Sequence, residues 1–382
     1  MDVYITDISA FLPNNPVSSE DMEKILGVVD HMPSRIKKII LKSNNIQERY
    51  YAIDPATGRA THTNVQLTAE AVRRLEPYQG FSFNDIECLC CGTSSPDQLM
   101  PGHGLMVHGE MGSHPCEVVT TAGICLSGMT ALKYAYMNVA LGFTKNAVAT
   151  GSDLASSFIR AQFFKGVNQK KKTFLEKEAL LPFDTTFLRW MLSDGAGAVF
   201  MTSTPVSDKP VLRIDWIEHI SYAGELETCM YSGAKKNANG TITGWRDFSS
   251  LQDALEEGAF LIKQDVKLLD REALKVAVEK TLPRVIEKHD LSPSHIDWFL
   301  PHYSSEYFRA KLYEHMKHVN FEIPLNRWFS NLTYKGNTGA ASIYIMMEEL
   351  FHSDRIKRGE RILCFVPESG RFSMCFMMLT AV

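Results

Sequence analysis

Short apolar runs alternate along the whole chain with longer segments in which apolar residues recur at helical spacing, the pattern of an α/β protein. Residues 87–91, 116–121, 147–150 and 196–201 read as strands, separated by stretches long enough for helices. Between Met201 and Val211 lies the polar run Thr-Ser-Thr-Pro-Val-Ser-Asp-Lys-Pro, which predicts a junction near residue 205 between a half spanning 1–205 and a half spanning 206–382. In the second half, Leu274, Val278, Leu282, Val285 and Ile286 predict a helix over 270–289 with Asp270 as its N-cap, stopped by Leu-Ser-Pro. Residues 296–300 then read as a strand ending at Pro301-His302. Ligands of open α/β sheets gather at the carboxyl ends of strands, which is where His302 falls.

The two halves echo one another. Thr-Thr-Ala-Gly-Ile-Cys125 runs into a helix of small residues, and Asn331-Leu-Thr-Tyr-Lys-Gly-Asn337 runs into a second one. Each half also closes on a glycine-led apolar strand, beginning at Gly195 and at Gly370. Duplication of one α/β unit would place Cys125 and Asn337 at equivalent helix starts.

Composition narrows the function classes. With 382 residues, 40 Lys and Arg against 44 Asp and Glu, and a net charge of −4, the chain has no basic field for nucleic acid and ample length for a large core. The beginning lacks a signal-peptide pattern and no run of about 18 apolar residues occurs, so no membrane span and a cytoplasmic location are expected. Eight cysteines in such a setting read as free thiols. Those at 88, 90 and 91 have no partners at zinc spacing and are expected in a strand core, with Cys88 and Cys90 on one face and Cys91 on the other. No metal site is expected.

Three residues carry candidate chemistry, each with a plainer reading beside it. A thiol at a helix start meets unpaired N–H groups and the positive end of the dipole, which favour thiolate; Cys125, with Gly123 and Gly128 around it, is a nucleophile on that reading and an inert core thiol otherwise. His302 is a general base or oxyanion donor, or a capping histidine in a polar turn. Asn337 is a helix cap by position alone.

Taken together, Val118-Val-Thr-Thr-Ala-Gly-Ile-Cys125-Leu-Ser-Gly-Met, Pro301-His302 and Lys335-Gly-Asn337-Thr-Gly-Ala-Ala-Ser resemble the Cys, His and Asn motifs of the ketoacyl synthase III branch of the thiolase superfamily. Asn45-Ile-Gln-Glu-Arg49, Gly92-Thr-Ser-Ser-Pro-Asp97, Gly151-Ser-Asp153 and Ser193-Asp-Gly-Ala-Gly-Ala-Val199 follow the family order. The resemblance implies a duplicated thiolase-like fold in five layers, α-β-α-β-α, with the nucleophile in the first half and His and Asn in the second. It implies Cys125 as the acyl-accepting nucleophile, with His302 and Asn337 hydrogen-bonding the thioester oxygen of the second substrate as it becomes an enolate. An oxyanion loop at Ser369 and Gly370 is implied by alignment to the family's glycine-rich turn. No cofactor is implied; the substrates are acyl thioesters of acyl carrier protein or coenzyme A, and the assembly is a homodimer.

Two departures bear on the branch. The chain has Pro-His-Tyr303-Ser304-Ser305 where the family usually has Pro-His-Gln-Ala-Asn, and Pro367-Glu-Ser-Gly-Arg371 in place of a nearly all-glycine run. This pattern is more similar to the ketosynthase/cyclase enzymes that build dialkylresorcinols. They join a β-ketoacyl thioester to a second, often α,β-unsaturated, acyl thioester and close a cyclohexanedione ring. The alternatives are a decarboxylative synthase using malonyl thioester and a non-catalytic partner subunit. Asp153 would assist a proton transfer or serve as a turn aspartate. Met100 would reach across a dimer to cap the partner's acyl pocket or pack in the core. An insert at about 157–190 carries Phe158, Phe163, Phe164, Phe174, Phe183 and Phe187 with Lys165, Lys170, Lys171 and Lys172. It reads as acyl-chain walls plus a landing patch for an acidic carrier protein, or as a solvated loop, and Arg35, Lys37 and Lys38 carry the same two readings.

Overall fold

The computed structural model describes residues 1–29, 34–164, 187–205 and 211–382, and side chains from residue 37 onward in the helix that begins at 34. Among these residues nine strands form one sheet: β1 (Tyr4–Phe11), β2 (Cys88–Thr93), β3 (Glu117–Ala122), β4 (Asn146–Asp153), β5 (Gly195–Thr202), β6 (Leu212–Ser221), β7 (Trp298–Pro301), β8 (Arg361–Glu368) and β9 (Ser373–Ala381). Their spatial order is β7-β8-β9-β6-β1-β5-β4-β2-β3. The principal helices are α1 (Ser34–Asn44), α2 (Asn64–Arg73), α3 (His103–Met111), α4 (Ser127–Ala140), α5 (Val266–Leu274), α6 (Leu282–His289), α7 (Tyr307–His318) and α8 (Ser342–Phe351).

The sheet is two copies of one pattern. From β1, the neighbours β5 and β4 are antiparallel and β2 is parallel to β4; from β6, β9 and β8 are antiparallel and β7 is parallel to β8. The copies meet only through two β1–β6 pairs, Tyr4 with Arg213 and Ile5 with Leu212. β3 has no full counterpart in the second copy, where a single parallel bridge from Phe299 to Trp328 takes its place.

Faces of the strands sort the core into three clusters. Cys88 and Cys90 join Met129, Leu132, Cys364, Cys375 and Met347 in a cluster where α4 and α8 lie between the two half-sheets, whereas Cys91 joins Val72 and Val107 under α2 and α3. On the opposite side, Phe299, Leu363 and Phe376 pack on Leu282, Val285 and Leu312 of α6 and α7. The alternation expected of the cysteine strand is observed, all eight cysteines are free, and the layers are those of the five-layered thiolase-like fold. Among the described residues no helix is long and apolar enough to cross a membrane, and no cluster of side chains is suited to a metal ion.

The expected helix over 270–289 begins earlier and is not uniform. Asp265, not Asp270, caps it, accepting from the Leu268 N–H at 3.0 Å, and a π-helical stretch, Lys275–Thr281, intervenes before α6. Asp270 instead receives the Lys311 ammonium at 2.7 Å. The helix ends at Asp290 in a left-handed conformation, ahead of the Leu-Ser-Pro sequence that was expected to stop it.

The central helices press directly on backbone. A Cβ at Gly128 would lie 2.6 Å from the Ala340 carbonyl oxygen, and one at Gly197 would overlap the Cβ of Tyr344, whose hydroxyl donates to the Gly128 carbonyl at 2.7 Å. Gly197→Ala is expected to cost about 1–3 kcal/mol of unfolding free energy, because the added methyl displaces a fully buried aromatic residue. Denaturant titration would show this as a lower midpoint with an unchanged slope.

Candidate active site

Cys125 sits in the turn between β3 and α4, and Asn337 in the turn that leads, through a short 3-10 segment, Gly339–Ala341, to α8. A narrow cavity of about 40 Å³ joins them, lined also by Asp153, Ser304, Ser369 and Phe158. A space of that size holds a few waters. An acyl chain of any length therefore needs its walls to move.

Asn337 is 3% exposed, and its side-chain oxygen accepts from the Gly339 N–H at 3.0 Å. That contact fixes the orientation of the amide and leaves the Nδ2 hydrogens, which have no protein acceptor among the described residues, as donors at the cavity. The main chain is held as well, with Asn337 N–H donating to the Met191 carbonyl at 3.0 Å and Ser193 N–H to the Asn337 carbonyl at 2.8 Å. Capping and donation are thus divided between the two ends of one amide.

Asp153, at the end of β4, ties this turn to the first half. One carboxylate oxygen accepts from Ser94 N–H at 2.9 Å, Ser94 Oγ at 2.7 Å, Ser95 Oγ at 3.1 Å and Thr93 Oγ1 at 3.3 Å; the other accepts from Ala340 N–H at 2.7 Å. Burial raises its carboxyl above the ordinary range, against the hydrogen bonds, which lower it. Gly339, at φ +58°, admits no side chain, since a Cβ would collide with this carboxylate.

His302 follows β7 and its N–H donates to the Phe365 carbonyl at 2.8 Å. It does not line the cavity, although Ser304, two residues on, does. Its ring is 4% exposed with no hydrogen-bond partner among the described residues, and burial lowers its pKa to about 4, so the imidazole is neutral at physiological pH.

Cys125 differs from the expectation for a helix-start thiol. Helix α4 begins two residues later, at Ser127, and the N–H groups of Ile124 and Leu126, on either side of Cys125, donate to Glu368 Oε2 at 3.0 and 3.2 Å. A carboxylate already occupies the positive end of the helix. Burial first, then the charges of Glu368 and Asp153, push the thiol pKa up rather than down. Glu368, at the end of β8, is the residue sequence reasoning did not single out. Its signal was present in the departure of Pro367-Glu-Ser-Gly from a glycine run.

The remaining sites sort as follows. Ser369 lines the cavity with its hydroxyl directed to Gln264 Oε1 at 3.4 Å, whereas Gly370 lies off it, its carbonyl accepting from Cys229 N–H and Met230 N–H. Met100 is 79% exposed and not part of this chain's cavity. Phe158 is on the cavity wall, Phe187 lines a second, apolar groove, Phe164 lies under the Arg189 guanidinium, and Phe163 is half exposed. Lys37 pairs with Glu23, and Lys38 is exposed. Lys165, Lys170, Lys171, Lys172, Phe174 and Phe183 lie outside the described residues, as does the Arg35 side chain.

The apolar groove, about 510 Å³, is bounded by Ile39, Ile40, Val266, Tyr307 and Phe308 as well as Phe187. Its wall is continuous with the cavity's: Phe187 and Ser305 face the groove while their chain neighbours Leu188 and Ser304 face the cavity.

Comparison with known proteins accords with this geometry. Residues 286–375, which include His302 and Asn337, match the family model described as 3-oxoacyl-[acyl-carrier-protein] synthase III C terminal. A β-ketoacyl-[acyl-carrier-protein] synthase III of Koribacter versatilis is 21% identical over 366 residues, 96% of this chain and 94% of the relative. The chain is thus similar to ketoacyl synthase III enzymes over nearly its whole length. Among solved structures, it resembles AbyA1, a tetronic acid condensing enzyme, with a TM-score of 0.75 at 19% identity over 99% of both chains. It also resembles Xanthomonas campestris OleA, crystallised with lauric acid and lauroyl-CoA, with a TM-score of 0.74 at 18% identity over 100% of this chain and 99% of that one.

The neutral state of His302 has a measurable consequence. An unfolded histidine takes up its proton near pH 6.5 and the folded His302 only near 4, so its contribution to stability is whole above about 6.5 and is lost as pH falls toward 4. His302→Asn is expected to make the decline of unfolding free energy between those limits shallower by about one proton. Denaturant titrations across that pH range would measure it; His103 and His219, similarly lowered, add to the decline, and Asp194, raised to about 6 by burial, opposes it.

Proposed function

We propose that the enzyme joins two acyl thioesters through an acyl group carried on Cys125, with His302 and Asn337 donating to the oxygen of the second thioester as its enolate forms. The first half, 1–205, contributes the nucleophile, and the second, 206–382, the donors. The observation that carries the reading is the Asn337 amide: its oxygen is held by Gly339 N–H, so its nitrogen is presented as a donor to the cavity that Cys125 shares. A neutral His302 suits the same role, since two neutral donors stabilise an enolate without neutralising the carbanion. Ser369 and the free N–H of Cys125 serve the oxyanion of the acyl-Cys125 adduct.

The substrates we assign are a β-ketoacyl thioester and a second, α,β-unsaturated acyl thioester, closed after condensation to a cyclohexanedione precursor of a dialkylresorcinol. The departures at Tyr303-Ser304-Ser305 and Glu368-Ser369 support this branch, and the long-chain ligands of OleA and the ring-forming name of AbyA1 are compatible with it. The apolar groove is the route we assign to the thioester arm of acyl carrier protein or coenzyme A, with Lys38 and the lysines at 165 and 170–172 as the carrier-protein patch. We take the enzyme as a cytoplasmic homodimer paired along β3, an edge strand flanked by exposed Leu99, Met100 and Leu105, with Met100 capping the partner's pocket.

Intact mass after incubation with medium-chain and unsaturated acyl thioesters tests the reading. One acyl adduct is expected in the native enzyme and none in Cys125→Ala. Asn337→Ala is expected to keep the adduct and to lose on the order of 100-fold in condensation. With an added β-ketoacyl thioester the extracted product is expected to be a cyclic diketone. A linear β-ketoacyl product formed only with malonyl thioester would move the enzyme to the decarboxylative branch, and absence of any adduct would make it a non-catalytic partner.

A further inference from the structure

The two half-sheets end in two acids at equivalent positions. Asp153 closes β4 opposite Gly195 of β5, and Glu368 closes β8 opposite Ser373 of β9. Each reaches across to the reactive turn of the other half: Asp153 to the Ala340 N–H beside Asn337, Glu368 to the N–H groups of Ile124 and Leu126 around Cys125. They differ in what remains free. Asp153 accepts five hydrogen bonds on its two oxygens. Glu368 accepts two hydrogen bonds on Oε2 and none on Oε1 among the described residues, and although it does not itself line the cavity, Ile124, to whose N–H it is bonded, and Ser369, its chain neighbour, do. Gly370 leaves space at Oε1, a Cβ there standing 3.3 Å away.

A condensation that keeps all its carbon needs a base for the α proton of the second thioester. Cys125 is acylated at that stage, the imidazole of His302 is a weak base, and both oxygens of Asp153 are already engaged, Oδ1 by four donors and Oδ2 by the Ala340 N–H. We propose that Glu368 is that base, so that the enzyme forms its carbanion by deprotonation rather than by loss of carbon dioxide. This rests on the acyl-Cys125 reading above. Glu368 Oε1 takes the proton as the α C–H bond breaks, and the electron pair passes into the enolate, whose oxygen is held by His302 and Asn337. The enolate carbon then bonds to the acyl carbonyl of Cys125, the C–S bond breaks, and the departing thiolate recovers the proton from Glu368. Nothing else is consumed. The carboxyl is half enclosed, and burial holds it above the ordinary carboxylate range, which makes it a stronger base than an exposed glutamate.

The test separates this step from acylation. In D2O, Cys125→Ala is expected to place deuterium at C2 of decanoyl-CoA, and Cys125→Ala/Glu368→Gln to do so at least about 100-fold more slowly. Glu368→Gln alone is expected to keep the acyl adduct on Cys125, which also reports that it folds, while losing condensation of two decanoyl-CoA molecules by a similar factor. Supplied with malonyl-CoA, which makes its carbanion by losing carbon dioxide, Glu368→Gln is expected to lose at least about 10-fold less than it loses with decanoyl-CoA. Glu368→Asp, with the base set back by one methylene, is expected to fall between. Unchanged deuterium uptake in the double variant, equal losses with decanoyl-CoA and malonyl-CoA, or a native enzyme that condenses malonyl-CoA alone would each overturn the assignment of the base. Absence of the adduct in the native enzyme would instead remove the acyl-Cys125 reading beneath it.

Discussion

The site depends on two carboxylates that cross between the halves of the molecule. Cys125 and Asn337 belong to turns more than two hundred residues apart in sequence, and the copies of the sheet meet through only two residue pairs at β1 and β6. What registers one turn against the other is the hold of Asp153 on the Ala340 N–H and of Glu368 on the N–H groups of Ile124 and Leu126, together with the main-chain bonds of Asn337 to Met191 and Ser193. Asp153 is buried, Glu368 is partly enclosed, and both stand at the ends of strands, so their positions follow from the sheet and not from the loops they hold. Such bonds between a carboxylate and backbone N–H groups are stronger than neutral ones, and the loss of either would leave buried donors unpaired.

This arrangement also explains the state of the thiol. The ends of helices attract anions, and a nucleophilic cysteine is commonly activated by that field. Here the field is already answered by Glu368. Cys125 therefore rests as a thiol, and its turn is held in shape by the same carboxylate that suppresses its ionisation. The chemistry of the site is set by which partner each oxygen has, so the free Oε1 of Glu368 matters more than the distance of any one residue from the helix axis.

Much of this was legible in the sequence. Period-two alternation placed Cys88, Cys90 and Cys91 on their correct faces, and the strand-then-turn pattern brought Cys125 and Asn337 to one cavity and His302 to the turn beside it, because strand ends and glycine turns are local properties of the chain. The helix start at Asp265 was missed because Asp270 offers the same capping side chain at nearly the same phase, and only tertiary pairing with Lys311 assigns it elsewhere. The role of Glu368 was hidden for a different reason. Its partners lie 242 and 244 residues away, and no periodicity or spacing reports a contact of that range. The hydrogen bonding of Asp153 was likewise invisible, since three of its donors come from the turn after β2, one from Thr93 at the end of β2, and the fifth from the other half.

The glycines under the central helices have a bearing on how the cavity can vary. At Gly128, Gly151 and Gly197 the helices rest on backbone and on the ring of Tyr344, with no layer of side chains between. Main chain cannot be exchanged for a smaller residue. The packing behind the two reactive turns is therefore inelastic, and accommodation of longer or bulkier acyl groups falls to the cavity wall itself, where Phe158, Leu188, Met230 and Ile262 present side chains that differ from one another in shape and can be traded one at a time.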